Sequence, residues 1–204
     1  MSVTGFELVS LHEAKLHAFI DGDDQNALCQ KLVTHSSEIV EGYLGRKLVT
    51  RGAITEHHTF WKSWTTLYVR EWPLITVTEV AEDIGREYAT ALVVDTDYMV
   101  KLPGGKIIRL SGSSPTTWQT GFEAVRVIYT AGYADTAAVP TPIKDVVNKH
   151  FALTYREIER KQQGMTGMSD DLGNFSRIGA AKLTADMKDQ LAECRAFESS
   201  WTHE

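Results

Sequence analysis

An α+β protein is expected from three features of the sequence. Apolar residues recur at helical spacing up to about residue 45, alternate with polar ones from 46 to 140, and return to helical spacing after Pro142. The architecture this predicts is a helical bundle with an inserted, mostly antiparallel β-region and a further helix at the C-terminus. Its divisions are a helical pair at 1–45, the β-region at 46–140, and a long helix at 141–163 packing with the N-terminal pair. A flexible loop at 164–182 and a docking helix at 183–204 complete the chain.

The first helix is announced by Ser10-Leu11-His12-Glu13, a capping box whose Ser and Glu would satisfy two orphan amides reciprocally. Leu11, Ala14, Leu16 and Ala18 give it a weak apolar face, and Asp21-Gly22 is expected to end it. Asp23 or Asp24 would cap the second helix, where a carboxylate suits the positive end of the dipole. Leu28, Leu32, His35, Ile39 and Tyr43 then recur at spacings of 4, 3, 4 and 4, one face of an α-helix. Gly45 stands where a C-terminal glycine cap belongs.

Alternation marks the strands: Thr66–Arg70, Ile75–Val80, Lys106–Leu110 and Ala124–Tyr129. Pro73 separates two of them, since proline cannot donate to a ladder. Leu102-Pro103-Gly104-Gly105 reads as a tight turn and Ser111–Thr117 as a loop of small residues. Five or six strands are expected, antiparallel because the connections are too short for helical crossovers.

Thr141-Pro142 opens the long helix, and Ile143, Val146, Val147, His150, Phe151, Thr154 and Ile158 trace its buried face. Gly164–Gly179 has four glycines and no periodicity, so it reads as a mobile surface loop or hinge. Thr184 begins the last helix, whose stripe is Leu183, Met187, Leu191, Cys194, Phe197 and Trp201.

A chain of 204 residues can bury a core without disulfides or metals. Its net charge of −6 argues against a surface built to wrap nucleic acid, and no basic cluster exists to meet phosphates. No apolar run approaches a membrane span. Met1–Ser10 has neither the basic start nor the apolar stretch of a secretory signal, and Cys29 and Cys194 form no CxxC, so a reduced interior is expected.

The search for chemistry returns negatives. GxGxxG, GxSxG and HExxH are absent, and Val100 replaces the upstream glycine of a phosphate loop at Gly104-Gly105-Lys106. His57 and His58 are adjacent on a strand and point to opposite faces. Asp21, Asp23 and Asp24 resemble the start of a calcium loop, but Asn26 and Leu32 replace its glycine and glutamate. Cys29 reads as a buried structural thiol. No catalytic, metal or cofactor site is expected.

Charge is unevenly distributed. Residues 1–45 hold two lysines against seven carboxylates, residues 46–140 balance, and 141–204 carry one excess acid. A solubilising face is one reading of the acidic helical pair. The other is a face held near DNA without sticking to it, carried by Asp21, Asp23, Asp24, Glu38 and Glu41. The C-terminal stripe likewise reads either as core or as a tethered helix docking into a partner through Leu183, Met187, Leu191, Phe197 and Trp201.

Five segments in order give the sequence a resemblance. They are Ser10–Lys15 with Ile20–Asp24, Ile39-Val-Glu-Gly-Tyr-Leu-Gly-Arg46, Trp72-Pro-Leu-Ile-Thr-Val77, Val127-Ile-Tyr-Thr-Ala-Gly-Tyr133, and Val139–Val147 running on to Thr154-Tyr-Arg-Glu157. Together they resemble the head–tail connector (adaptor, or head-completion) proteins of long-tailed phages and related gene-transfer particles, over roughly residues 9 to 160.

The resemblance implies a structural virion protein at the portal vertex, made in the host cytoplasm and without catalytic residues. It implies a homo-oligomeric ring of twelve copies under the portal protein, extending the DNA channel and offering a landing surface to a tail-side stopper or tail-terminator protein. DNA would pass through without sequence-specific binding. Heterologous ring contacts need two unlike patches. The helices carrying Leu28, Leu32, Ile39, Tyr43, Val146, Phe151 and Ile158 are assigned to one and the sheet edge to the other. The alternatives are a small-ligand hydrolase using His150 or the His57–His58 pair, and an unrelated bacterial interaction module of the same layout.

Overall fold

The computed structural model describes residues 7–50, 52–159, 168–170, 173–175 and 182–195. The fold is α+β, in two units: one from the described residues of Met1–Gly45 and Thr136–Glu204, the other from those of Arg46–Asp135.

In the helical unit α1 spans Leu11–Ala18, α2 Asn26–Leu44, α3 Thr141–Glu159 and α4 Ala185–Arg195. Ser10 caps α1, its Oγ accepting from the Glu13 N–H at 3.1 Å. The Glu13 carboxylate faces Lys144 on α3, 3.8 Å away. The helix ends earlier than Asp21-Gly22, because Phe19 adopts the left-handed conformation (φ 59°) and closes it. The Phe19 N–H donates to Leu16 O and the Ile20 N–H to Lys15 O.

Helix α2 corrects the expected capping. Its N-cap is Gln25, without a side-chain cap, while Asp23 accepts from the Asn26 side chain one residue inside the helix. Its buried face is also rotated by one residue, to Cys29, Leu32, Val33, Ser36, Ser37, Val40, Glu41 and Leu44. The rotation is affordable because the serines are satisfied locally. Ser37 Oγ donates to Val33 O and accepts from the Leu8 N–H, and Ser36 Oγ meets His150 Nδ1 at 2.9 Å. Small side chains there let α3 approach closely.

Helix α3 starts one residue before the expected position, at Thr141, and buries Ile143, Val146, Val147, His150, Phe151 and Thr154 as its spacing predicts. It contacts α1, α2 and α4, and is the central helix of the unit. Thr184 caps α4 through its Oγ1 and the Met187 N–H. The loop expected at 164–182 lies largely outside the described residues. Within it, β8 (Met168–Asp170) and β9 (Gly173–Phe175) pair antiparallel.

The β unit holds seven strands: β1 Ile54–Phe60, β2 Thr66–Tyr68, β3 Leu74–Glu82, β4 Tyr98–Lys101, β5 Lys106–Ser111, β6 Ser114–Pro115 and β7 Gly121–Ala131. They form one sheet ordered β1-β7-β3 and another ordered β2-β5-β4, with β6 pairing β5, and every ladder is antiparallel. The small-residue loop at Ser111–Thr117 is thus partly a tight hairpin. Leu67, Val80, Ile107, Trp118, Val127 and Tyr129 from both sheets share one core.

Gly132 locks the ends of this unit together. At φ 103° it lets Tyr133 exchange backbone bonds with Leu48 and Thr50, where a Cβ would lie 2.8 Å from Leu48 O.

Candidate interaction surfaces

Two polar clusters of the β unit have the look of chemistry, and both are structural. Glu56 accepts from the Tyr129 hydroxyl and from the Arg70 N–H, and sits 3.2 Å from His58 Nε2. Burial alone would raise its carboxyl, but the bonds from His58, Tyr129 and Arg70 outweigh it and hold the group below the usual range. Tyr129 is pushed far up by burial and by the adjacent carboxylate, so its proton stays. Arg109 forks onto Glu82 at 2.9 Å from both Nε and Nη2, and lies over Trp118.

His57 is exposed beside the Tyr88 ring, on the face opposite His58, and His150 is buried against Ser36 in the helical unit. The Ser36 hydroxyl and the His150 imidazole stand at hydrogen-bond distance, but both are fully buried in the helical core, where no substrate reaches them. Among the described residues, no group of three His, Cys, Asp or Glu side chains could hold a metal. No helix there is long and apolar enough to cross a membrane. Burial pushes the Cys29 thiol up, which keeps it inert.

What remains is surface. At the corner between α1 and α2, Leu16 and Phe19 are 69% and 86% exposed. They line a groove of about 490 Å³ with Leu11, His12, Lys15, Ile20 and the loop to Asn26. Lys15 fixes that loop, its ammonium donating to Gly22 O, to Asn26 Oδ1 at 2.6 Å and to Asp23 Oδ1 at 3.3 Å. The bonds from Asn26 and Lys15 hold the Asp23 carboxyl below its usual range. Asp21, Asp23 and Asp24 rim the corner, all exposed.

On the β unit, the β1–β2 loop presents Trp61 and Trp64, 77% and 48% exposed, on either side of Lys62-Ser63. Its base is rigid. Phe60 stacks on Trp118, the Trp118 backbone N–H donates to Trp64 O, and the Arg109 backbone N–H to Thr65 O.

The residues singled out in the sequence are dispersed. Asp21, Asp23, Asp24 and Glu38 are exposed, whereas Glu41 is buried and leaves the acidic face. Val146 and Phe151 are fully buried and Leu32 nearly so, filling the unit's own core instead of a ring contact, while Leu28, Ile39, Tyr43 and Ile158 are half-buried. Leu183, Met187 and Leu191 are buried in the helical unit, where α4 packs on α2 and α3. This moves them from the expected docking surface into the core. Phe197 and Trp201 lie outside the described residues. Phe19, Trp61 and Trp64 carry no sequence signal of their exposure, since periodicity does not separate an exposed aromatic from a buried one.

Chains of three solved structures share the fold. One is from the neck of a native GTA particle computed with C12 symmetry, at 19% identity and TM-score 0.53 over 85% of this chain and 87% of that one. Another is from the neck of an empty GTA particle computed with C6 symmetry, at 19% identity and TM-score 0.54 over 83% and 86%. The third is from the virion of a native gene transfer agent particle, at 20% identity and TM-score 0.55 over 85% and 88%. No family model matches the sequence, and no curated protein does. The likeness covers more of the chain than either unit holds, so it extends to the helical unit with its β insertion.

Proposed function

We propose that this chain is a non-enzymatic structural protein of the neck of a tailed, phage-like particle. It forms a homo-oligomeric ring at the head–tail junction, beneath the portal protein, and passes DNA towards a tail-side stopper or terminator protein. The observation that carries this reading is the likeness over more than four-fifths of the chain to chains of GTA neck and virion structures. A neck computed with C12 symmetry supports a ring of twelve copies.

The surface accords with the role. The exposed carboxylates Asp24 and Glu38 would repel a polyanion instead of retaining it, as the wall of a conduit requires. The fold spends its buried polar groups on rigidity: Glu56 with Tyr129, and Arg109 with Glu82. Cryo-EM of particles produced with this chain tests the reading. A ring of it between portal and tail is the expected map, and density for it anywhere else would refute the proposal.

A further inference from the structure

We infer that the ring closes head to tail, by insertion of the β1–β2 loop of one copy into the α1–α2 corner groove of a second copy. This rests on the ring proposed above and names the contact that would make it. A closed ring needs two unlike, mutually complementary patches on each subunit. The loop and the groove are such a pair, one on each folding unit.

Three observations join them. The first is charge: between Thr59 and Arg70 the chain has no carboxylate, and Lys62 stands between the two tryptophans, whereas the groove is lined by Asp21 and Asp23, with the Lys15 ammonium already bonded to Asp23.

The second is apolar content. Trp61 and Trp64 are the residue type that dominates interface energies. They would bury against Leu16, Phe19 and Ile20, in the groove of about 490 Å³.

The third is preorganisation on both sides. The loop is pinned at its base by Phe60, Trp118 and the bonds to Trp64 O and Thr65 O, and the groove by Lys15. Little ordering entropy is then left to lose on association. Phe19 itself sits at φ 59°, where a side chain costs about 1 kcal/mol, and points into water. A residue disfavoured on both counts in the single copy is accounted for by a contact made only in the assembly.

The test uses particles assembled with a chain carrying Leu16→Cys and Trp61→Cys in a Cys194→Ser background. Both sites are exposed, so the fold is kept. After oxidation, with thiols blocked before denaturation so that the buried Cys29 cannot exchange, denaturing non-reducing gels are expected to show a ladder from dimer upward, while chains carrying only one of the two substitutions remain monomeric. A monomer band from the double variant, in particles whose neck map still contains the ring, overturns the contact and spares the ring. So does a fast-migrating monomer, which reports a bond within one chain, or a dimer from Trp61→Cys alone, which reports a symmetric contact. Particles assembled with the unsubstituted chain whose neck lacks it overturn both readings. Within the double variant, Lys62→Glu is expected to lower ladder yield about fivefold, the upper range for an exposed ion pair. Asp21→Lys in the same chain is expected to restore it. A ladder indifferent to both changes overturns the electrostatic half of the pairing.

Discussion

The Tyr129 hydroxyl donates to Glu56 across the β1–β7 ladder while accepting from the Glu71 N–H at 3.2 Å, so one buried phenol joins three segments of the β unit. The register explains the reach. Tyr129 lies opposite Ile54, two residues before Glu56, on a sheet whose twist brings diagonal neighbours together. Tyr129→Phe keeps the ring in the core but removes one donor from the half-buried Glu56 carboxylate and the phenol acceptor from the Glu71 N–H. It is expected to destabilise the chain by about 2 kcal/mol, the cost of unsatisfied buried polar groups, with denaturant midpoint at constant m-value as the measurement.

Glu56 predicts the acid limb of stability. Its folded-state pKa is depressed, so the unfolded chain binds the proton more tightly and stability falls as pH falls. The contribution is complete above the unfolded value, about 4.3, and is lost as pH drops through the folded one. Glu56→Gln should therefore lower stability at pH 7 and flatten its decline below about pH 4. Urea titrations at several pH values would show parallel acid limbs if the carboxylate were indifferent to folding.

Gly132→Ala places a methyl 2.8 Å from Leu48 O at a φ that side chains avoid. The backbone of Leu48–Thr50 cannot yield without losing its bonds to Tyr133, so a loss of about 3 kcal/mol is expected. Thermal unfolding measures it, and hydrogen exchange at the Thr50 and Tyr133 amides should rise selectively.

Phe19→Gly separates stability from assembly. Glycine accepts the left-handed position without penalty, and an exposed ring forfeits little burial. The isolated chain should therefore gain about 1 kcal/mol while ring yield on particles falls. A variant both more stable and fully competent in assembly would remove Phe19 from the contact.

The fold was legible where polarity and position agree. On α3 the stripe Ile143, Val146, Val147, His150, Phe151, Thr154 is the buried face, and Gly45 closes α2 at φ 71°. It was misread on α2, where Ser36, Ser37 and Glu41 lie inside while Ile39 and Tyr43 are half out. Hydrogen bonds to Leu8, Val33 and His150 make that inversion stable, and they come from other elements or the helix's own backbone. Strand β4 has no alternating signal of its own, because Tyr98–Lys101 is four residues long and owes its existence to its neighbour β5. The interaction surfaces were the least legible part. Trp61 and Phe19 matter through what fails to cover them, and exposure is a property of the assembled fold.

The clasp at Gly132 has a bearing on how such a chain changes over time. Because Leu48–Thr50 and Tyr133 run side by side, the β unit begins and finishes through a single doorway, barely wider than two backbones. A cassette hung from so narrow a stem is transplantable. It could be lengthened, recoded or exchanged for a homologous module while α2 and α3 keep their own register, leaving the ring's helical half to be inherited separately from whatever the cassette displays.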